Sequence, residues 1–209
     1  MSTSAKVTAR QRIENLLDDN SFVEIGAYVK ARNTDFNIQA KDTPSDGVIT
    51  GYGVINGGLV YVYSQDASVL GGSVGEMHAK KIASLYDMAM KTGSPVIGLI
   101  DSTGLRLQES VDGLNAFGQI YMKQSLASGV IPTVTAIFGN CGGGLSIVAG
   151  LSDFTFMEVE NAQLFVNSPN AITENRKEIC DNASAKFQSE EAGNVDFVGT
   201  EAEVIEGIR

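Results

Sequence analysis

The hydrophobic positions of this 209-residue chain change period along its length, and the changes mark its elements. Thr8-Ala9-Arg10-Gln11 reads as a capping box, with Gln11 three residues after Thr8. Ile13, Leu16 and Leu17 follow at helical spacing, so a helix runs as far as Asn20-Ser21. Residues 22–25 read as a short strand and the polar stretch 31–46 as a loop. Residues 48–55 and 59–63 are strands joined by Asn56-Gly57, a strong hairpin-turn pair. After Leu70-Gly71-Gly72-Ser73 a helix is predicted over 74–91, burying Ile82, Leu85, Met88 and Ala89. Residues 95–100 are almost all apolar, as in a strand covered on both faces. A polar turn over 101–110, a helix over 114–126 and a second buried strand over 131–138 come next. Then follow a helix over 143–150, strands over 154–159 and 163–166, helical turns in the acidic stretch after Ser168, and a final helix from Glu201. A hairpin followed by alternating helices and strands predicts one α/β layered domain spanning 1–209, with right-handed crossovers.

Composition sharpens this picture at the glycines. There are 23 of them, against a typical share of about 7%, and only four prolines, so the glycines are not a low-complexity tract. They concentrate in two turns that each lead from a strand into a helix: Leu70-Gly71-Gly72-Ser73 and Asn140-Cys141-Gly142-Gly143-Gly144. A helix N-terminus has backbone N–H groups without intrahelical partners, and its dipole favours negative charge. Such a turn can hold an anion, or a carbonyl oxygen becoming one. For Gly142-Gly143-Gly144 the plain alternative is tight strand–helix packing, and spacing alone leaves the two level.

The remaining chemistry is narrowed by elimination. A net charge of −10 argues against non-specific nucleic-acid binding. Two cysteines, Cys141 and Cys180, make neither a disulfide framework nor a zinc site. Cys141 sits in the second glycine turn; a small buried residue is the favoured reading over a reactive thiol, because no basic partner is near in sequence. The single histidine, His78, is flanked by Glu76, Lys80 and Lys81 and reads as part of a solvated helix face rather than a general base. No His, Cys and carboxylate cluster has metal-ligand spacing, and neither glycine turn fits a phosphate loop or a dinucleotide fingerprint. No secretory leader and no apolar run of membrane length is visible, so a cytoplasmic protein is expected. Beyond Asp101, Glu109 is a proton acceptor or a brace of its loop, with the brace favoured; Arg106 as anion clamp or brace stays open.

Over nearly its whole length the sequence resembles the N-terminal half of the biotin-dependent acyl-CoA carboxyltransferases. The residues that carry the resemblance begin with Thr8-Ala9-Arg10-Gln11-Arg12-Ile13, Leu16-Leu17-Asp18 and Ser21-Phe22-Val23-Glu24. Asp46-Gly47-Val48-Ile49-Thr50-Gly51-Tyr52-Gly53, Gln65-Asp66, Gly71-Gly72-Ser73-Val74-Gly75-Glu76 and Lys80-Lys81-Ile82 continue it. Lys91-Thr92-Gly93-Ser94-Pro95-Val96, Asp101-Ser102, Gly104, Arg106, Gln108-Glu109, Ala127-Ser128-Gly129-Val130-Ile131-Pro132, Cys141, Gly143-Gly144 and Asp153-Phe154-Thr155-Phe156-Met157 complete it.

The resemblance implies a crotonase-like fold whose Gly143 and Gly144 amides polarise the carbonyl of a coenzyme A thioester. It places Gly71, Gly72, Ser73, Gly104, Arg106 and Gly142 around the same substrate. It also implies carboxyl transfer between the acyl α-carbon and biotin, with biotin arriving on a separate carrier protein or domain and no metal required. In the scheme favoured for such enzymes, carbon dioxide leaves carboxybiotin and the ureido group takes the α-proton, which suits a chain with no free histidine. Lys80, Lys81, Arg106 and Lys123 are candidates for the coenzyme A phosphates. A C-terminal carboxyltransferase half, a homo- or hetero-oligomer and no membrane span are further expectations.

Three departures accompany the resemblance. Where the family usually reads DSGGARIQEG, this chain has Thr103 and Leu105, adding bulk beside the pocket. Its residues 181–187 lack the histidine of the family's GGAxTHxxxSG stretch. The sequence also ends near Arg209, about where the family's first domain ends, as in a fragment or in systems whose halves are separate subunits. Three readings therefore compete: a carboxyltransferase half working in the carboxylating or decarboxylating direction, a freestanding hydratase or hydrolase using Glu109, and a non-catalytic assembly subunit.

Overall fold

A long, almost wholly buried strand at the centre of the chain organises everything else. In the computed structural model, which describes residues 7–33, 42–169 and 181–209, this strand is β4 (Val96–Ser102). Apolar side chains on both its faces need cover from both sides. Val96 and Ile100 face one core and Ile97 and Leu99 the other. The sheet has eight strands, in the order β1-β2-β3-β4-β5-β6-β8, with β7 also paired to β5. β1 (Val23–Ile25), β2 (Val48–Ile55) and β3 (Gly58–Gln65) are antiparallel. From β3 onward the pairing is parallel, through β5 (Thr133–Gly142), β6 (Phe154–Glu158), β7 (Gln163–Phe165) and β8 (Phe197–Gly199).

Helices cover each face. α1 (Ala9–Leu16) and α6 (Glu201–Ile208) lie on one side, around Ile13, Leu16, Val60, Val62, Phe138 and Ile205. α2 (Glu76–Thr92), α3 (Ser110–Ala127) and α4 (Gly144–Gly150) lie on the other, around Tyr63, Ile82, Leu85, Phe117, Ile120 and Leu145. The short α5 (Ala185–Glu190) packs by β7 and β8. The capping box at Thr8 is present in full, and an equivalent one at Thr200 opens α6.

The layered α/β expectation holds, and the boundaries move. The 31–46 stretch ends in a single tight turn, Pro44–Gly47, and its 34–41 portion lies outside the described residues. α2 begins at Glu76 rather than at 74, because Val74 is held out as an extended bridge to Leu105. α3 begins at Ser110, four residues before the apolar periodicity starts, because its first turn grows straight out of the Leu107–Glu109 turn. β5 runs through Cys141 and Gly142 into the glycine turn, since β7 gives it a partner there. Of the helical turns expected after Ser168, 170–180 and Cys180 fall outside the described residues, whereas α5 and α6 are observed.

Candidate functional site

The carboxyl ends of three neighbouring parallel strands meet at one place, the usual location of ligands in such sheets. β3 ends at Gln65, β4 at Ser102 and β5 at Gly142. The loop after β4 stitches the two glycine turns together. Thr103 N–H donates to the Gly71 carbonyl (2.9 Å), and the Ser102 hydroxyl donates to that of Gly72 (2.7 Å) while accepting from Gly104 N–H (3.1 Å). Val74 N–H then donates to the Gly104 carbonyl (2.8 Å). Gly72 has φ +64°, and a Cβ there would lie 2.4 Å from the Asp101 carbonyl oxygen, so no other residue fits. A Cβ at Gly104 (φ +94°) would stand 3.4 Å from the Gly142 carbonyl oxygen, and Ser102 pairs with Cys141, so the loop runs close beside the second turn. Ser102 is the residue that sequence reasoning passed over; nothing in a lone serine at a strand end distinguishes a bridging role.

The two turns differ in what they leave open. In the first, Gly72 and Ser73 are buried, and their N–H groups are used locally, by the Val69 and Leu70 carbonyls. The helix beyond it is capped by carboxylates: Glu109 accepts from Glu76 N–H (2.6 Å) and Asp46 from His78 N–H (2.7 Å). In the second, α4 opens with no side-chain cap. Gly143 (φ +60°, ψ −125°) is exposed, with open space where a side chain would stand. Gly144 tucks against Phe117 and Tyr121, and the Tyr121 hydroxyl donates to its carbonyl (2.7 Å), which fixes α4 on α3. Gly143 N–H donates to the Phe165 carbonyl (3.1 Å). Of the expected amide pair, Gly144 N–H is thus the member at an uncapped helix start, and Gly143 N–H already has a protein acceptor. A cleft of about 460 Å³, lined by Ser146, Ile147, Leu164, Phe165 and Val166 among others, runs beside α4.

Several expected roles change. His78 is fully buried, not on a solvated face, because the Asp46 turn folds over the start of α2. Its Nδ1–H donates to the Asp46 carbonyl (3.0 Å), so Nε2 accepts from the Gln65 side-chain amide (3.1 Å). Burial, with Arg106 and Lys81 adding to it, pulls the imidazole down to about 3, so the ring is neutral. Arg106 is 2% exposed, and its guanidinium is taken up by Asp46 (2.6 Å), Glu109 (2.9 Å), the Ser73 carbonyl (2.7 Å) and the Ser73 hydroxyl (3.2 Å). These contacts make it a brace at the base of the first turn. Glu109, 3% exposed in the same network, is likewise a brace. Lys81 is buried under the Ser45 and Val48 carbonyls, and burial lowers its ammonium to about 8. That removes it from the phosphate-binding candidates. Lys80 and Lys123 are partly exposed and paired with Glu76 and Asp87. Cys141 is buried, its thiol pushed up to about 12, so it is the inert reading that holds. Thr103 lies against Gly71, and Leu105 packs on Gly113, placing the added bulk along the first turn.

The family described as carboxyl transferase domain matches residues 2–206. The methylmalonyl-CoA decarboxylase subunit alpha of Propionigenium modestum is 48% identical over 169 residues, 81% of this chain and 33% of that one. The propionyl-CoA carboxylase beta chain of Roseobacter denitrificans is 48% identical over 167 residues, 80% of this chain and 33% of its own. The chain therefore spans about a third of the length of these curated relatives. Among solved structures, transcarboxylase 12S with methylmalonyl-CoA bound superposes with a TM-score of 0.90 at 37% identity, covering 96% of this chain and 40% of that one. A Pseudomonas malonate decarboxylase hetero-tetramer gives 0.84 at 26% identity, covering 96% and 79%. The fold is crotonase-like, as the resemblance implied. On the match across 2–206 and the identity of these relatives, the chain belongs to the carboxyl transferase domain family.

Proposed function

We propose that this chain is the acyl-CoA-binding half of a biotin-dependent carboxyltransferase. The observation that carries the reading is the uncapped start of α4 at Gly143–Gly144, open at Gly143 and joined by the 102–104 loop to the first glycine turn. A thioester carbonyl set against the Gly144 amide gains stabilisation as negative charge moves onto its oxygen, which is the charge that develops when the α-carbon becomes an enolate. The Gly143 amide joins it when the Phe165 carbonyl yields its bond, an exchange of one acceptor for another. Gly71, Gly104 and Gly142 shape the wall. Gly72, Ser73 and Arg106 act from beneath it, holding the turn rather than touching substrate.

Among the described residues, no second uncapped helix start stands beside the first turn: the Gly72 and Ser73 amides are taken by local carbonyls, and α2 is capped by carboxylates. Biotin on its carrier is accordingly assigned to a C-terminal carboxyltransferase half. A hydratase or hydrolase reading loses its only carboxylate, because Glu109 is buried against Arg106. One observation favours a second reading, a non-catalytic assembly subunit: the bond from Gly143 N–H to Phe165.

The test is calorimetric and kinetic. The chain alone is expected to bind a methylmalonyl- or propionyl-CoA probe and to transfer no carboxyl group until a C-terminal half is added. In that reconstituted enzyme Gly143→Ala, whose Cβ at a positive φ strains the peptide that carries the Gly144 amide, lowers turnover by about tenfold with binding little changed. Thioester binding with Gly143→Ala fully active in the reconstituted enzyme sinks the oxyanion assignment. No thioester binding at all leaves the assembly reading.

A further inference from the structure

The peptide that carries the Gly144 amide has glycine on both sides, so no side chain of its own fixes its plane. Gly143 has φ +60° and ψ −125°, the values of the first central position of a type II′ turn. Left to itself, such a peptide can rotate between its two glycines, and its N–H then points elsewhere. Hydrogen bonds on three successive peptides prevent this. Before it, Gly143 N–H is tied to the Phe165 carbonyl (3.1 Å). After it, the Gly144 carbonyl accepts from the Tyr121 hydroxyl (2.7 Å). The peptide between them is held through its own oxygen. The Ser146 hydroxyl donates to the Gly143 carbonyl (2.7 Å), and Ser146 N–H donates to the same atom (3.1 Å).

The Gly143 carbonyl and the Gly144 N–H are the two ends of one conjugated amide. A donor on the oxygen draws electron density across the C–N bond and makes the N–H a stronger donor in its turn, because hydrogen bonds in a chain polarise one another. The Ser146 hydroxyl thus does two things to the Gly144 amide: it sets its direction and raises its strength. The backbone bond from residue 146 would survive most side chains there; the hydroxyl bond is what serine adds. Packing does not explain the residue, since Ser146 is partly exposed and belongs to neither hydrophobic core. It lines the cleft beside α4, so a ligand seated there shields the bond from water, where it counts for more. We propose that Ser146 is a positioning residue for the thioester carbonyl, acting through the Gly143–Gly144 peptide rather than on the reacting atoms. The proposal rests on the acyl-CoA reading above.

The experiment uses the full 209-residue chain, alone for binding and spectroscopy and with a C-terminal half for turnover. The probe is propionyl-CoA with an isotope-labelled carbonyl, followed by infrared difference spectroscopy. Bound to the native chain, its C=O stretch is expected to fall below that of the free thioester. Bound to Ser146→Ala, it should recover part of that shift, with Kd changed by less than about twofold. In the reconstituted enzyme Ser146→Ala is expected to lower kcat about three- to tenfold with KM little changed. Ser146→Thr keeps the hydroxyl and should restore both the stretch and kcat. Alanine is a good helix former, so the melting temperature should hold, and a loss of turnover is then not a loss of fold. Native stretch and native kcat in Ser146→Ala overturn the proposal and leave the acyl-CoA reading standing. So does a fall in kcat with the stretch unmoved, or one that Ser146→Thr shares in full. A native chain that binds no propionyl-CoA removes the acyl-CoA reading itself, and the proposal falls with it.

Discussion

His78 illustrates how far one side chain's neighbours can reverse its apparent chemistry. In sequence it stands among charged residues; in the fold those residues point elsewhere, and the imidazole is held between a carbonyl and a glutamine amide. Its folded value of about 3 lies below the ordinary one of 6.5, so the unfolded chain binds a proton that the folded chain refuses. The stabilisation is therefore fully present above about pH 6.5 and is lost as pH falls towards 3, with a limiting slope of about 1.4 kcal/mol per pH unit. Urea unfolding between pH 7 and pH 4 should show this slope in the native chain, and His78→Asn should shed that share of it. Lys81 acts in the same sense at the alkaline end: stability rises as pH climbs from about 8 to 10.5. Neither burial was legible in the sequence, because the Asp46 turn that covers both side chains is remote from them along the chain. The inertness of Cys141 was legible from the lack of a basic neighbour in sequence, and the bracing role of Glu109 from Arg106 three residues before it.

Among the elements, the loop after β4 does more than connect. Its Ser102 hydroxyl lies between the Gly72 carbonyl and the Gly104 amide, so it sets the spacing between the first glycine turn and the wall of the second. Ser102→Ala leaves both backbone groups unsatisfied in a buried place and is expected to cost about 1–3 kcal/mol in chemical unfolding. Ser102→Cys, with a longer and weaker donor, should fall between the two. An unchanged midpoint for Ser102→Ala would mean that the neighbouring backbone bonds hold the loop alone. Strand and helix identity came through clearly in the hydrophobic periods of β2 to β5 and of α1 and α2. The ends of α3 and β5 did not, because each is decided by what it touches: the Leu107–Glu109 turn before one, and the β7 pairing beside the other. The stitching across 71–74 and 102–106 is likewise tertiary, and no spacing of residues announces it.

At the scale of the whole molecule, the layered architecture and the family were both readable, because buried parallel strands and glycine turns leave dense local signals. What spacing did not reveal was which glycine turn stays open, since both are glycine-rich strand-to-helix turns and the difference lies in tertiary cover: the carboxylates that cap α2 have no counterpart at α4. The two outermost helices add a last property. α1 and α6 lie side by side: Arg12 reaches Glu201 near one end (2.8 Å), and Arg209 reaches Leu16 and Asp18 near the other. Residue 209 is thus separated from the start of α1 by little more than that helix's own length, about 12 Å for eight residues. A linker of a few residues from Arg209 directly to Val7 should close the backbone of this stretch into a ring. Reopening it at the exposed Asn56–Gly57 tip should then return a permuted protein with the same near-ultraviolet spectrum and a melting temperature within several degrees of the original. The order in which the strands are synthesised would then be a free variable, and the sheet could be assembled from its parallel half first.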